Sequence, residues 1–120
     1  MSSVFVIMRV LNKTTKEEIA LNLVIADNIF SRMKGLLGKI AMPDGEALWI
    51  KPCNGIHTFG MKFPIDVVFL NREYCVVAVR KNLKPNRIVP IIFNASSVIE
   101  LPSGIIDRTS TKIGDTVEIA

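Results

Sequence analysis

The chain has 120 residues, a net charge of +4 and an apolar content of 49%. That supports one domain spanning residues 1–120, leaves no room for a second, and excludes a disordered chain. Apolar runs such as Val4-Phe5-Val6-Ile7-Met8 fall far short of the roughly 20 residues of a membrane-spanning helix.

That N-terminal run is also too short for a signal-peptide core, and Arg9 follows it directly. The expected compartment is therefore the cytoplasm. Residues 4–11, rich in Val, Ile and Phe, read as a strand. Residues 17–25 alternate, with Ile19, Leu21, Leu23 and Ile25 on one face and Glu18, Ala20, Asn22 and Val24 on the other. This is the period of a half-buried strand. The polar segment 12–16 between them predicts a hairpin.

The period then changes. Asp27 is a suitable N-cap, and Ile29, Phe30, Met33, Leu36 and Leu37 follow at helical spacing. They predict one short helix near residues 27–38, ended by Gly35 and Gly38, whose apolar stripe covers an end or face of a sheet. Short strands return at 47–50, 65–70, 74–80, 88–93, 97–101 and 116–119. The predicted fold is mainly β, an antiparallel sandwich or barrel-like sheet with that one helix.

The segment from Pro52 to Asp66 concentrates the chemistry. It holds His57, which is the single histidine, Cys53, two glycines and two prolines. Asp66 begins the apolar run Val67-Val68-Phe69-Leu70, and Glu100 lies inside Val98-Ile99-Glu100-Leu101. An acid in such a run must be hydrogen-bonded or paired, because a lone buried charge is expensive. Arg32, on the predicted helix, is the expected partner of Asp66.

Cys53 and Cys75 form no CxxC motif, which argues against a disulfide scaffold or a cysteine zinc site, and both are expected as thiols. Cys53 and His57 suggest a nucleophile and its base, but four residues of strand would hold them roughly 13 Å apart. No HxH, HxxxH or HExxH spacing is present, so no metal site is expected, and no cofactor is indicated. Arg80, Lys81, Lys84 and Arg87 form a basic stretch at 80–87 without interleaved aromatics. A solvated loop accounts for it better than a nucleic-acid surface, which leaves nucleic acid an unlikely partner.

Several blocks occur in order: Arg32-Met33-Lys34-Gly35-Leu36-Leu37-Gly38, then Ile56-His57-Thr58-Phe59-Gly60-Met61-Lys62-Phe63-Pro64-Ile65-Asp66, then Val98-Ile99-Glu100-Leu101-Pro102-Ser103-Gly104, then Ile113-Gly114-Asp115. From about Leu21 to Ile119 the chain resembles the domain of unknown function 192 family. The resemblance implies a β-sandwich-like fold with a short helix and supplies no activity. Family members often look exported, so an extracytoplasmic location stays open beside the cytoplasmic one. Motif matching carries over Arg32, Gly35, His57, Thr58, Met61, Pro64, Asp66, Glu100 and Gly104.

Three functional readings follow. The first is a non-catalytic ligand-binding or protein-interaction module with a pocket near His57 and Asp66. Its candidate binding residues are Arg32, His57, Thr58, Met61, Asp66 and Glu100, with Lys62 on the rim, and Gly35, Gly60, Pro64 and Gly104 shape the motif. The partner would be a small ligand or a protein, and the chain a monomer or dimer. The second is a small hydrolase-like enzyme using His57 with Asp66 or Glu100. The third is anion or nucleic-acid binding through the loop 80–87.

Overall fold

The computed structural model describes residues 8–120, apart from the side chains of Ile29, Phe30 and Met33. The strands are β1 (Met8–Asn12), β2 (Glu18–Ala26), β3 (Glu46–Ile50), β4 (Ile56–His57), β5 (Ile65–Leu70), β6 (Val76–Leu83), β7 (Ile88–Val89), β8 (Ser97–Pro102) and β9 (Val117–Ile119). Two short helices join them, α1 (Ile29–Lys34) and α2 (Ile105–Arg108).

Seven strands form one curled sheet in the order β6-β5-β8-β3-β2-β1-β9, while β4 and β7 pair separately. The sheet bends until its outer strands approach each other. Cys75 bridges to Thr116, and Val76 N–H donates to the Asp115 carbonyl at 2.8 Å. The result is a half-barrel whose edges are partly covered, which limits the backbone groups left open to another chain.

β5 and β8 are interior strands of this sheet and are buried along their whole length. Val68, Leu70, Ile99 and Leu101 point inward, where Ile105 and Ile106 of α2 complete the core. Ile65, Val67, Phe69 and Val98 point outward and are covered by Leu36, Met61 and Val89. A sheet covered on both faces needs near-continuous apolar strands, which explains the Ile-Asp-Val-Val-Phe-Leu composition of β5. Each such side chain contributes roughly 2 kcal/mol of burial free energy.

The mainly β, barrel-like class with a helix near 27–38 agrees with the sequence reading. Five local details differ. β2 and β3 pair in parallel, with Leu23 beside Ala47 and Ile25 beside Trp49, whereas the other paired strands are antiparallel. The strict alternation expected in 17–25 breaks down: Ala20 is buried and Leu21 is 49% exposed. Register shifts in the β1–β2 pairing, of the kind a bulge produces, reset the phase of the strand. The N-cap is Asn28 rather than Asp27. Asn28 Oδ1 accepts from Ser31 N–H at 2.9 Å, and Ser31 Oγ accepts from Asn28 N–H, a reciprocal capping box. Finally, the 88–93 strand shrinks to β7, and the single turn of α2 adds a second helix. Residues 4–7 of the predicted first strand lie outside the described residues.

Candidate functional site

Asp66 is a buried acid with three hydrogen-bond donors. On β5 it faces Leu101 of β8, so its carboxyl enters the inner face. Oδ1 accepts from Asn82 N–H at 2.8 Å, and Oδ2 accepts from Gly104 N–H at 3.1 Å and Ile106 N–H at 2.9 Å. Gly104 has φ of 99°, a backbone state that disfavours a side chain and that accompanies its N–H being turned to Asp66. Arg32 is not the partner of Asp66. Three backbone N–H groups take that place, and no ion pair joins the two residues.

Thr58 is fully buried and acts as a clamp on the loop 84–87. Its Oγ1 donates to the Lys84 carbonyl at 2.7 Å and accepts from Arg87 N–H at 2.9 Å. Its backbone N–H donates to the Arg87 carbonyl at 2.8 Å, and its carbonyl accepts from Asn86 N–H at 3.0 Å. In that loop region Lys81 pairs with Asp107, and the Arg87 guanidinium turns onto the Pro85 and Asn86 carbonyls. Arg80 also donates to the Val79 carbonyl at 2.9 Å, so three of the four cations there are already engaged within the protein.

Arg32, His57, Met61 and Glu100 line one cavity of about 480 Å³ on the outer face of the half-barrel. Gly35 and Cys53 also border it, whereas Thr58 and Asp66 do not. The volume lies within the usual range for small-molecule pockets. Its floor is the sheet, where β8 presents Glu100 between Leu48 of β3 and Val67 of β5. Its roof is the end of α1 and the segment after it, including Leu36 and Leu37. Gly60, at φ of 79°, lets the chain pass close beneath Leu37: a Cβ there would lie 3.2 Å from Leu37 Cδ2. Pro64 leads into β5 and is exposed, away from the lining.

Glu100 is the unusual group. It is only 4% exposed, yet its carboxyl makes no hydrogen bond or ion pair among the described residues. The polar side-chain atoms sealed off without a partner are Trp49 Nε1 and Ser97 Oγ; the Glu100 carboxyl is not among them because it opens into the cavity. Burial raises its pKa from 4.5 to about 7. The group therefore passes between acid and carboxylate near neutrality.

Cys53 and His57 reach the same cavity because residues 51–55 form an irregular loop rather than the straight strand behind the 13 Å estimate. The Cys53 thiol donates to the Gly55 carbonyl at 3.1 Å. Burial pushes its pKa up, with the Glu100 carboxyl adding to the rise, so the neutral thiol is favoured. His57 is exposed, and its Nδ1 accepts from Phe59 N–H at 3.3 Å. That bond occupies Nδ1 as an acceptor and leaves Nε2 without a protein partner among the described residues. Among the described residues, no three His, Cys, Asp or Glu side chains are grouped to hold a metal ion.

The sequence marked Glu100 as an anomalous acid. It did not mark Lys34, Leu36, Leu37 or Ile50 as cavity lining. The helical stripe and the strand pattern both suggested ordinary core for the apolar ones.

Comparison with known proteins places these features in a family context. The DUF192 profile, described as "Uncharacterized ACR, COG1430", matches residues 10–119. A UPF0127 protein of Pyrococcus furiosus is 33% identical over 113 residues, covering 90% of this chain and 95% of that protein. A UPF0127 protein of Thermococcus sibiricus is 32% identical, covering 90% of this chain and 72% of the relative. A crystal structure of a protein of unknown function from Novosphingobium aromaticivorans superposes with a TM-score of 0.79 at 20% identity, covering 92% of this chain and 82% of that one, and so shares the fold. On the strength of a profile match over almost its entire length, the chain belongs to the uncharacterised DUF192 family.

Proposed function

We propose that this chain is a small-molecule binding domain whose recognition group is the Glu100 carboxyl at the floor of the α1-roofed cavity. The observation that carries the reading is a buried acid with no partner among the described residues, open to a space large enough for a ligand. An unpaired buried polar group costs stability, and a ligand that supplies the missing partner recovers that cost on binding. The apolar walls of Leu36, Ile50 and Met61 favour a ligand with a hydrocarbon body. The bound group would be a hydrogen-bond donor, an amine or a hydroxyl, set against the carboxylate.

Acid–base catalysis is the second reading, favoured by the titration of Glu100 near neutrality. It finds less support. The Cys53 thiol is held neutral, and His57 already engages Phe59 through Nδ1.

The test is an NMR titration of the protein with n-pentylamine and n-pentanol, following backbone amides. Binding predicts saturable shifts at Cys53, His57 and Glu100 that vanish in Glu100→Leu. Absence of such shifts, or equal shifts in the variant, would overturn the reading.

A further inference from the structure

We infer that the ligand class of this cavity is a small zwitterion, held with its ammonium group on Glu100 at the floor and its anionic group on Arg32 and Lys34 at the mouth. The inference rests on the binding reading above and narrows it.

The charge layout carries the argument. Arg32 and Lys34 stand on α1 and line the same cavity as Glu100. The ion pairs among the described residues join Arg9 to Glu18, Lys81 to Asp107, Arg108 to Asp44 and Lys112 to Asp115. Among the described residues neither α1 cation is paired, and neither closes on Glu100. The cavity thus carries one acid and two cations that are not paired with one another, together with the apolar side chains of Leu36, Ile50 and Met61. A simple amine would leave the cations unmatched. A simple carboxylate would satisfy the cations while facing the Glu100 carboxyl across the same space, where like charges repel. A molecule carrying both charges on a short hydrocarbon spacer matches the acid and the cations together.

The surroundings of Glu100 set a sign for the pH dependence. β3 and β5 present Leu48 and Val67 to it, and the cavity it opens into is lined by Cys53 of the 51–55 loop, His57 of β4, and Arg32 and Lys34 of α1. Cys53 is held neutral by burial. An ammonium ligand requires ionised Glu100, so binding strengthens as pH rises through about 7 and weakens below it.

The experiment is calorimetric titration with three probes of equal chain length: δ-aminovalerate, n-pentylamine and valerate, at pH 6 and pH 8. The zwitterion is expected to bind at least tenfold tighter than either singly charged probe at pH 8, and about tenfold weaker at pH 6 than at pH 8. The double variant Arg32→Gln, Lys34→Gln should reduce δ-aminovalerate to the affinity of n-pentylamine, while Arg32→Lys keeps the preference. Glu100→Gln should abolish both the binding of the amine and the pH dependence. Melting curves confirm that each variant is folded; if the double variant is not, the affinity ratio of the three probes on the unaltered protein decides alone. Equal affinity for zwitterion and amine, or tightest binding of valerate, overturns this inference and leaves the cavity a binding site. No binding of any probe removes both readings.

Discussion

Asp66 and Glu100 sit on adjacent strands one position out of register, Asp66 opposite Leu101 and Val67 opposite Glu100, and their carboxyls leave the sheet on opposite faces. One is saturated by three backbone N–H groups and the other has no partner among the described residues. The two acids do not meet in one cleft. Asp66 belongs to the scaffold, and Glu100 belongs to the cavity.

Removal of the Asp66 carboxyl strands three N–H donors from two separate segments, Asn82 on β6 and Gly104 and Ile106 at the start of α2. Asp66→Ala is expected to lower the unfolding free energy by about 3 kcal/mol, since hydrogen bonds to a charged group contribute more than neutral ones. Asp66→Asn keeps one acceptor oxygen and should fall between wild type and Ala. Urea denaturation followed by circular dichroism measures both. An unchanged midpoint for Asp66→Ala would contradict the clamp.

Glu100 gives the opposite sign. Its pKa in the folded state is raised, so the unfolded chain ionises first as pH rises from 4.5. Stability should decline between that value and about 7 and level off above it, by roughly 3 kcal/mol in all. Glu100→Gln should remove this slope and be at least as stable as wild type at pH 8. Chemical denaturation across that pH range checks the expectation. A variant that keeps the slope would assign it to another group.

Thr58 ties the His57 block to the loop 84–87 through one hydroxyl that both donates and accepts. Thr58→Val retains the shape and loses both bonds. It should cost about 1–2 kcal/mol and raise amide exchange at Asn86 and Arg87 while leaving β5 and β8 protected. Uniform exchange rates in wild type and variant would show that the backbone bonds alone hold the loop.

The parts of the fold legible in the sequence are those governed by local pattern. The runs around Val67–Leu70 and Val98–Leu101 were read as interior strands because β-branched and aromatic residues cluster there. Asp27 and Asn28 both cap well by residue type, and Ser31 decides for Asn28 through its reciprocal bond. The faces of β2 do not follow its own alternation because the shift in register depends on β1, a different stretch of chain. The parallel β2–β3 pairing was not legible for the same reason. The site followed the same division. Asp66 and Glu100 both stood out as acids in apolar runs. Only the pairing of β5 with β8, together with the strands and loops covering each face, decides which acid is enclosed by backbone and which opens onto space.

The parallel pairing has a kinetic consequence. The crossover at 27–45 that joins β2 to β3 also carries α1 and the roof of the cavity, so roof and floor are connected through a contact between segments distant along the chain. Such contacts form slowly because the loop must close before the pairing is rewarded. The cavity should therefore assemble late in folding, after the local hairpins. Any fluctuation that unzips β2 from β3 should lift the roof away with them, making the life of the pocket the life of that one seam.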